Sequence, residues 1–464
     1  MNIRKTLKSL PKPFQKIIKS TYGLLPYSLK FGKVFCQTYN FLQESQWWSR
    51  KELENYQMEQ LNKLLIHAYN NVQYYQNLFN KQGLKPDDIQ SLDDFKKIPF
   101  LTKDMVREGS KDLTAKNYDI KNLYISHTSG TTGKPLQWYI SLEEEQKEYA
   151  SICHQWSRVG FKPGDFSVQM RGNIIEDKKR YEYDPVYKVL RLSPKFYSKE
   201  IVSYYLKLIK DFGAKFIHGY PSVIALFASL IKEYNLQVPF ELKAILFASE
   251  AIYPWERQIS GEVFKCRIFS HYGNAEKVTL AGECEKTEKY HSIPQYGITE
   301  IDRETNQIIG TSLINYVTPF IRYKTTDIVS GVNNQEVCSC KRQYFPSFDS
   351  VEGRLEDYII TSRGEFISPA VITHPFKDFQ EIRNTQIVQK TVKFIELRVV
   401  PNEKHDLNNL KSEINILIGG LNKILGNDME IKAEILDTIE TSASGKFRWI
   451  ISEVSKKSLE DGLL

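Results

Sequence analysis

The chain has 464 residues, 41% of them hydrophobic and 26% charged, with a formal net charge of +7. That length exceeds one ordinary core and argues for two or three domains. The composition is that of a soluble globular protein, and a charge of +7 suits a polyanionic ligand while being too mild to argue for nucleic acid.

The first 43 residues are basic, with Arg4, Lys5, Lys8, Lys12, Lys16, Lys19, Lys30 and Lys33 and no acid before Glu44. They lack the apolar core and small-residue cleavage site of a secretory signal. The preferred reading of this segment (1–44) is a solvated helix packed on the body. The alternative is an amphipathic helix lying on an anionic membrane. The first reading gives a cytoplasmic protein, and the second puts it at the inner face of the membrane. No apolar run reaches the roughly 18 to 20 residues that span a bilayer. The strongest, SVIALFASLI (222–231), stops at Lys232 and reads as a buried helix.

Residues 45–100 read as helices carrying aromatics and end at IPFLTK. Tyr124 and Ile125, and then Leu136 to Ile140, are strand material on either side of a short loop. Up to about residue 330, apolar strand-like runs alternate with helical stretches: KFIHG (215–219), a helix over 222–234, KAILFAS (243–249) and CRIFSHYG (266–273). Such alternation predicts a largely parallel sheet with helices on its faces. The segment 352–369 reads as a joint in which Gly353 and Gly364 bracket a short strand pair. Beyond it, KFIELRVV, a helix over 407–425, MEIKAEIL and a final helix make a self-contained α+β unit of about 110 residues. The expected division is a large domain over 1–352, a hinge at 353–357 and a small domain over 358–464.

The loop HTSGTTGKPL (127–136) packs three hydroxyls, two glycines and a lysine into Ser129–Pro135. Its backbone N–H groups and Lys134 suit an anion. It is not a Walker loop, because Gly130 and Gly133 are too close and Pro135 follows the lysine.

The string Thr128, Ser129, Gly130, Thr131, Thr132, Gly133, Lys134 resembles the phosphate loop of the adenylate-forming (acyl-CoA synthetase) superfamily. The resemblance is to its phenylacetate–CoA ligase-like branch, which includes proteins linked to capsular polysaccharide synthesis. Further motifs follow in order over roughly residues 90–452. FASEAI (247–252) is similar to the adenine-cradling turn, with Ser249, Glu250 and Ala251. In HYGNAE (271–276), the resemblance puts Tyr272 on the purine, Gly273 and Asn274 beside the nucleotide and Glu276 on the Mg²⁺ of ATP. RYKTTD (322–327) gives Asp327 for the ribose hydroxyls. GRLED (353–357) is similar to the hinge motif, with Arg354 near the ribose and Glu356 at the pivot. SASGKFR (442–448) carries Lys446. The catalytic groups so implied are Lys446, Glu276 and Thr131.

Three residues depart from the pattern: Ala275 for a hydroxyl that touches the α-phosphate, Thr326 for a glycine, and Glu356 for Asp or Lys. The first would remove one hydrogen bond, roughly 0.5–1.5 kcal/mol.

The resemblance implies an α/β fold with mixed sheets and a mobile C-terminal domain. It implies ATP-dependent activation of a small carboxylic acid, giving AMP and pyrophosphate, with acyl transfer to CoA. Alternatives are transfer to an amine or sugar in surface-polysaccharide assembly, and a nucleotide-binding scaffold without turnover. FIHGYPS (216–222) and MRGN (170–173) are the expected acyl-pocket lining, with Arg171.

The six cysteines belong to a long chain without a signal, so a disulfide framework is not expected. Cys284 and His291, then Cys338 and Cys340, make a Cys-x6-His pair and a Cys-x-Cys pair 46 residues apart. A Cys₃His set satisfies tetrahedral zinc. Similar pairs occur in this branch, and the ion would be structural, pinning two loops beside the adenylate site.

Overall fold

The computed structural model describes residues 11–109, 111–127, 136–171, 180–193, 198–250, 252, 254–352, 359–367, 372, 375, 379–401, 405–439 and 450–454, apart from some side chains within them. The phosphate loop, the hinge motif and Lys446 lie outside the described residues.

The chain begins with helices α1 (Lys12–Gly23), α2 (Tyr27–Ser45), α3 (Arg50–Asn71) and α4 (Gln73–Gln82). Ser49 and Glu52 close a capping box at the start of α3, which satisfies two otherwise orphaned N–H groups. Helix α2 breaks at Gly32, where φ is 85°. A Cβ there would lie 2.4 Å from the Gln146 amide, which donates to the Phe31 carbonyl, so only glycine fits. Beyond the break, Phe35 and Leu42 are buried. The second half of the basic segment is therefore packed on the body.

Strands β1 (Tyr124–His127) and β2 (Gln137–Ile140) pair antiparallel on either side of residues 128–135. Helix α5 (Leu142–Trp156) follows, and then the strands and helices of the main sheet: β3 (Ser167–Met170), β4 (Tyr181–Asp184), β5 (Val189–Leu192), α6 (Lys199–Phe212), β6 (Phe216–Gly219), α7 (Pro221–Glu233), β7 (Ala244–Ala248), α8 (Pro254–Phe264) and β8 (Arg267–Gly273). Strands β9 (Leu280–Glu283), β10 (Tyr290–Ser292) and β14 (Ser347–Phe348) complete nine strands in the order β14-β10-β9-β8-β7-β6-β3-β5-β4. The five central strands, β5 to β8 in that order, are parallel. Antiparallel strands extend both edges.

Both faces of the central strands are apolar, as burial on two sides demands. Ile217, Ile245, Phe247 and Ile268 pack with α6, α7 and α8. Phe216, Leu246 and Phe269 on the other face pack against Ala150, Cys153 and Trp156 of α5 and Phe31 and Phe35 of α2.

The expected strand–helix alternation ends earlier than residue 330. Residues 280–352 hold no helix among those described. They form β9, β10 and β14 and a second, antiparallel sheet of β11 (Gly297–Ile301), β12 (Gln307–Ser312), β13 (Tyr323–Ser330) and β15 (Ser350–Glu352). The apolar residues here recur at short spacing between turns such as Asp302–Gln307, where Asn306 has φ 55°. That spacing suits strands and not a 3.6-residue helix period.

Past the hinge motif, β16 (Ile359–Ile360) pairs with β17 (Phe366–Ile367); Gly364, with φ 73°, lies in the turn between these strands and does not bracket the pair as expected. Strands β18 (Ile382–Thr391), β19 (Phe394–Pro401), β20 (Glu430–Ile435) and β21 (Ile450–Ser452) form a mixed sheet in the order β20-β19-β18-β21, with helix α9 (Leu407–Leu425). One apolar cluster is built wholly from residues 359–450. Strand β18 is absent from the sequence reading because its buried positions include Thr385, Gln386 and Gln389. Gln389 exchanges hydrogen bonds with both backbone groups of Ile360, so a polar residue is satisfied where pattern reading expects an apolar one. Glu453 and Val454, directly after β21, are helical as the expected final helix requires, and the residues beyond them lie outside those described.

Arg322 fixes β13. Its Nε and Nη2 reach both Glu300 oxygens at 3.0 and 2.9 Å, and Nη1 donates to the Lys96 and Ile98 carbonyls, each at 2.6 Å. Its guanidinium lies 4.4 Å from the Phe100 ring centre. Replacing Arg322 with Met leaves two carbonyls and a carboxylate without their donor, so stability should fall by about 3–5 kcal/mol. A chemical-unfolding midpoint unchanged from the parent would show that the pair carries no such weight.

Candidate active site and metal centre

Strand β8 ends at Gly273, at the carboxyl edge of the parallel strands, where ligands of open α/β sheets bind. Tyr272 leaves this strand and donates its hydroxyl to Asp327 Oδ2 of β13 at 2.7 Å. The next residues turn tightly: Lys277 N–H reaches the Asn274 carbonyl at 3.1 Å, and Val278 N–H reaches Asn274 Oδ1 at 3.0 Å. The turn buries Glu276, whose Oε1 accepts from the Tyr323 hydroxyl at 2.9 Å. Two tyrosines thus join two carboxylates across two sheets.

Burial pushes the Glu276 carboxyl above its usual range, while the Tyr323 hydroxyl and nearby Lys103 pull it back. Burial, with the adjoining carboxylates, raises both tyrosine hydroxyls, so each stays a donor at neutral pH. Ser249 closes β7 with φ 72°. A left-handed backbone at a non-glycine residue marks a turn held by its surroundings.

A second group lies at the same sheet edge, on the α5 side. Trp156 Nε1–H donates to His271 Nδ1 at 3.3 Å, which leaves the His271 proton on Nε2. The Trp156 ring lies 4.8 Å from the His218 ring, centre to centre. Arg171 stands 5.9 Å from the Tyr220 ring. Burial and Arg171 hold His271 down to about 3 and depress His218 as well, so both imidazoles are neutral. His218 Nε2 and Arg171 Nε are buried without a hydrogen-bond partner. At Gly219 a Cβ would lie 2.0 Å from the Met170 carbonyl, so β6 approaches β3 here as only glycine allows.

The cysteine–histidine residues also meet. The donor atoms of Cys284, His291, Cys338 and Cys340 all lie within 4.8 Å of one another. Cys284 Sγ and Cys338 Sγ are 3.6 Å apart, and Cys340 Sγ is 3.8 Å from His291 Nε2. A tetrahedral ion with metal–sulfur bonds near 2.3 Å sets an S···S edge of about 3.8 Å, so the spacing fits. His291 Nδ1 faces the Tyr344 carbonyl at 3.4 Å, which turns Nε2 toward the cluster. All six cysteines are free thiols. The place of the cluster corrects one expectation. Strand β9 runs antiparallel to β8 with Gly282 opposite His271, so Cys284 emerges toward the amino edge of the parallel strands. The cluster ties the β9–β10 turn to the 338–340 loop at the end of β9 away from Gly273, rather than beside the adenylate turn.

Residues 359–453 match the model of the CapK C-terminal domain. Over 453 residues the chain is 21% identical to Protein CapK of Staphylococcus aureus, covering 96% of this chain and 98% of that protein. It is 23% identical over 363 residues to the phenylacetate-coenzyme A ligase of Escherichia coli K12, covering 71% of this chain and 77% of the ligase. The chain is a homologue of CapK and of the phenylacetate-CoA ligases. Its fold is that of 2-hydroxyisobutyryl-CoA ligase, solved in complex with 2-HIB-AMP and CoA, with a TM-score of 0.58 at 18% identity over 90% of this chain and 93% of that one.

Of the residues expected from the sequence, Tyr272, Gly273, Asn274, Glu276 and Asp327 converge, and Ser249 and Glu250 end the parallel strand next to β8. Ala275 is exposed on the turn. Thr128 to Lys134, Ala251, Arg354, Glu356 and Lys446 lie outside the described residues, as does the Thr326 side chain. Sequence reasoning missed Tyr323 and Lys103. Tyr323 sits within RYKTTD, and Lys103 follows IPFLT, but their meeting with Glu276 depends on the Leu101–Tyr323 bridge.

A buried carboxylate with a raised pKa weakens the fold where it is charged. Its favourable contribution exists while it is protonated and is lost as pH rises through the folded-state value. Glu276→Gln should therefore raise the melting temperature at neutral pH, by about 1 kcal/mol of stability. The difference should shrink as pH falls through the raised folded-state value. A gain that stays constant down to acid pH would mean that Glu276 is not charged in the folded protein.

Proposed function

We propose that this protein activates a small carboxylic acid with ATP as an acyl-adenylate and then passes the acyl group to coenzyme A. In the first step a carboxylate oxygen attacks the α-phosphorus and pyrophosphate leaves. In the second the CoA thiolate attacks the acyl carbon and AMP leaves. The observation that carries this reading is the Tyr272–Asp327 and Tyr323–Glu276 pairing at the carboxyl edge of β8.

In this reading Asp327 accepts from the ribose and Tyr272 flanks the purine. Ser249, Glu250 and Ala251 border adenine, Arg354 approaches the ribose, and Thr128–Lys134 receive the outer phosphates. Glu276 would hold Mg²⁺, which neutralises the phosphate oxygens when bound. Its burial keeps the carboxylate dry and its charge unscreened. Arg171, His218 and His271 would border the acid. The hinge at 353–357 would let the 358–464 domain bring Lys446 to the α-phosphate for the first step and move it away for the second.

A second acceptor, an amine or sugar of surface polysaccharide, is favoured by the near full-length match to CapK. The two readings share the first step and differ in whether product forms with CoA alone.

A cation about 4 Å from the forming charge is worth roughly 4 kcal/mol, and this is the role proposed for Lys446. Lys446→Ala should lower pyrophosphate release across a carboxylic-acid panel by about three powers of ten while ATP still binds. Release at the parent rate would sink the mechanism, and so would a scaffold-like absence of release with every acid tested.

We also propose that Cys284, His291, Cys338 and Cys340 hold a structural zinc ion with no open position. The four donors complete a tetrahedral set, so the ion's role is to tie two loops together. Purified protein should contain about one zinc per chain. Cys340→Ser should lower both zinc content and melting temperature. Chelated, metal-free protein that melts with the parent would remove the ion from the account.

A further inference from the structure

The amino-terminal helix presents an apolar face that nothing in the described chain covers. Phe14, Ile17, Ile18 and Tyr22 recur at i, i+3, i+4 and i+8 on α1, which places them on one side of a helix. Phe14 is 59% exposed and Ile17 63%. The stripe continues beyond the helix through Leu24, 86% exposed, and Leu29, 64% exposed. Isolated exposed apolar residues are ordinary, but a contiguous run of this kind marks an interaction surface.

The helix is held in place, so the face is not that of a loose tail. A Cβ on Gly23 would lie 2.4 Å from the Pro185 carbonyl, in the turn between β4 and β5. The backbone of α1 therefore touches the body at its carboxyl end. The Tyr22 hydroxyl donates to the Lys30 carbonyl at 2.7 Å, and Lys30 Nζ donates to the Gly23 carbonyl at 3.3 Å. These bonds set the angle between α1 and α2. Phe166, exposed beside the same turn region, has Lys188 Nζ 5.0 Å from its ring centre, and Lys188 also faces Lys30.

Charge selects the occupant. The first 43 residues carry eight basic side chains and no acid. Lys19 and Lys33 are exposed, and Lys12, Lys16 and Lys19 recur at the opposite phase of the helical period from Phe14, Ile17 and Ile18. Acids on this side are engaged: Asp165 accepts from Lys162 N–H, Asp184 accepts from Arg191, and Glu182 lies 3.9 Å from the same arginine. An apolar stripe on an acid-free basic helix matches an anionic lipid surface, where apolar side chains enter the acyl boundary and lysines meet headgroups. No helix among the described residues is long and apolar enough to cross a membrane, which leaves contact from one side.

We propose that α1 and the Leu24–Leu29 connection dock this protein on an anionic phospholipid bilayer, independently of the reaction at the β8 edge. The test is co-sedimentation of the full chain with two vesicle preparations. One is phosphatidylcholine alone, and the other contains roughly one-third phosphatidylglycerol. The protein should pellet with the anionic vesicles and be released by salt. The double variant Ile17→Asp/Leu24→Asp should bind roughly tenfold or more weakly, with an unchanged circular dichroism spectrum. Should that variant misfold, Lys19→Glu reads the α1 surface through charge and should weaken binding to the anionic vesicles. Binding no stronger to anionic than to neutral vesicles would overturn the proposal, as would variants that bind like the parent. A parent that ignores vesicles but is a dimer dissolved by Ile17→Asp/Leu24→Asp would assign the face to a second copy of the chain instead.

Discussion

The position of β13 governs the candidate site, and Arg322 sets that position. A guanidinium with five fixed donors reaches Glu300 of β11 and the 96–98 segment at once, which a lysine's single point charge does not do. Its ion pair with Glu300 is largely buried, so its contacts are specific in direction as well as favourable. With Arg322 in place, Tyr323 and Asp327 stand on the same strand four residues apart, and each meets a partner from the β8 turn. The Leu101 backbone, bonded on both sides to β13, brings Lys103 near Glu276 by the same constraint.

The main sheet supplies the other half. Parallel strands end their carboxyl edges together, so Ser249, His271, Tyr272 and His218 gather although they lie far apart in sequence. The antiparallel strand β9 then carries the chain back across the sheet. That reversal places the cysteine–histidine cluster at the opposite edge from the 273–276 turn. Its four donor atoms bring the β9–β10 turn and the 338–340 loop together at the far edge, while the corner beyond Gly273 is held by tyrosine–carboxylate bonds.

The candidate site also shows what a buried carboxylate costs. A carboxylate buried at Glu276 is held above its ordinary pKa by desolvation, only partly offset by Tyr323 and Lys103. A cation placed there would relieve that penalty, and the relief is binding energy. The neutral histidines and the unpartnered Arg171 Nε and His218 Nε2 beside α5 are another unmet demand at the same edge. Both are features of a site preorganised for polar groups and not of a core optimised for stability.

The sequence determined much by itself. The parallel core strands, the helices over 221–233 and 407–425 and the Cys₃His set were legible because hydrophobic period and residue type are local properties. The ordered motifs named Tyr272, Glu276 and Asp327 for the same reason. Only the tertiary structure decided that Tyr272 bonds Asp327, that Tyr323 and Lys103 serve Glu276, and that Trp156 fixes the His271 tautomer. These pairs span 47 to 173 residues of chain or cross from one sheet to another, and no local pattern encodes such a meeting. Strand β18 was hidden because its buried glutamines are satisfied by partners far along the chain. The cysteine–histidine cluster was legible as a set of residues but not as a place, since the direction of β9 relative to β8 is a property of strand pairing. The exposed stripe on α1 was legible as a period, but whether the body covers it depended on how α1 leaves α2 at the Lys30–Gly23 contact.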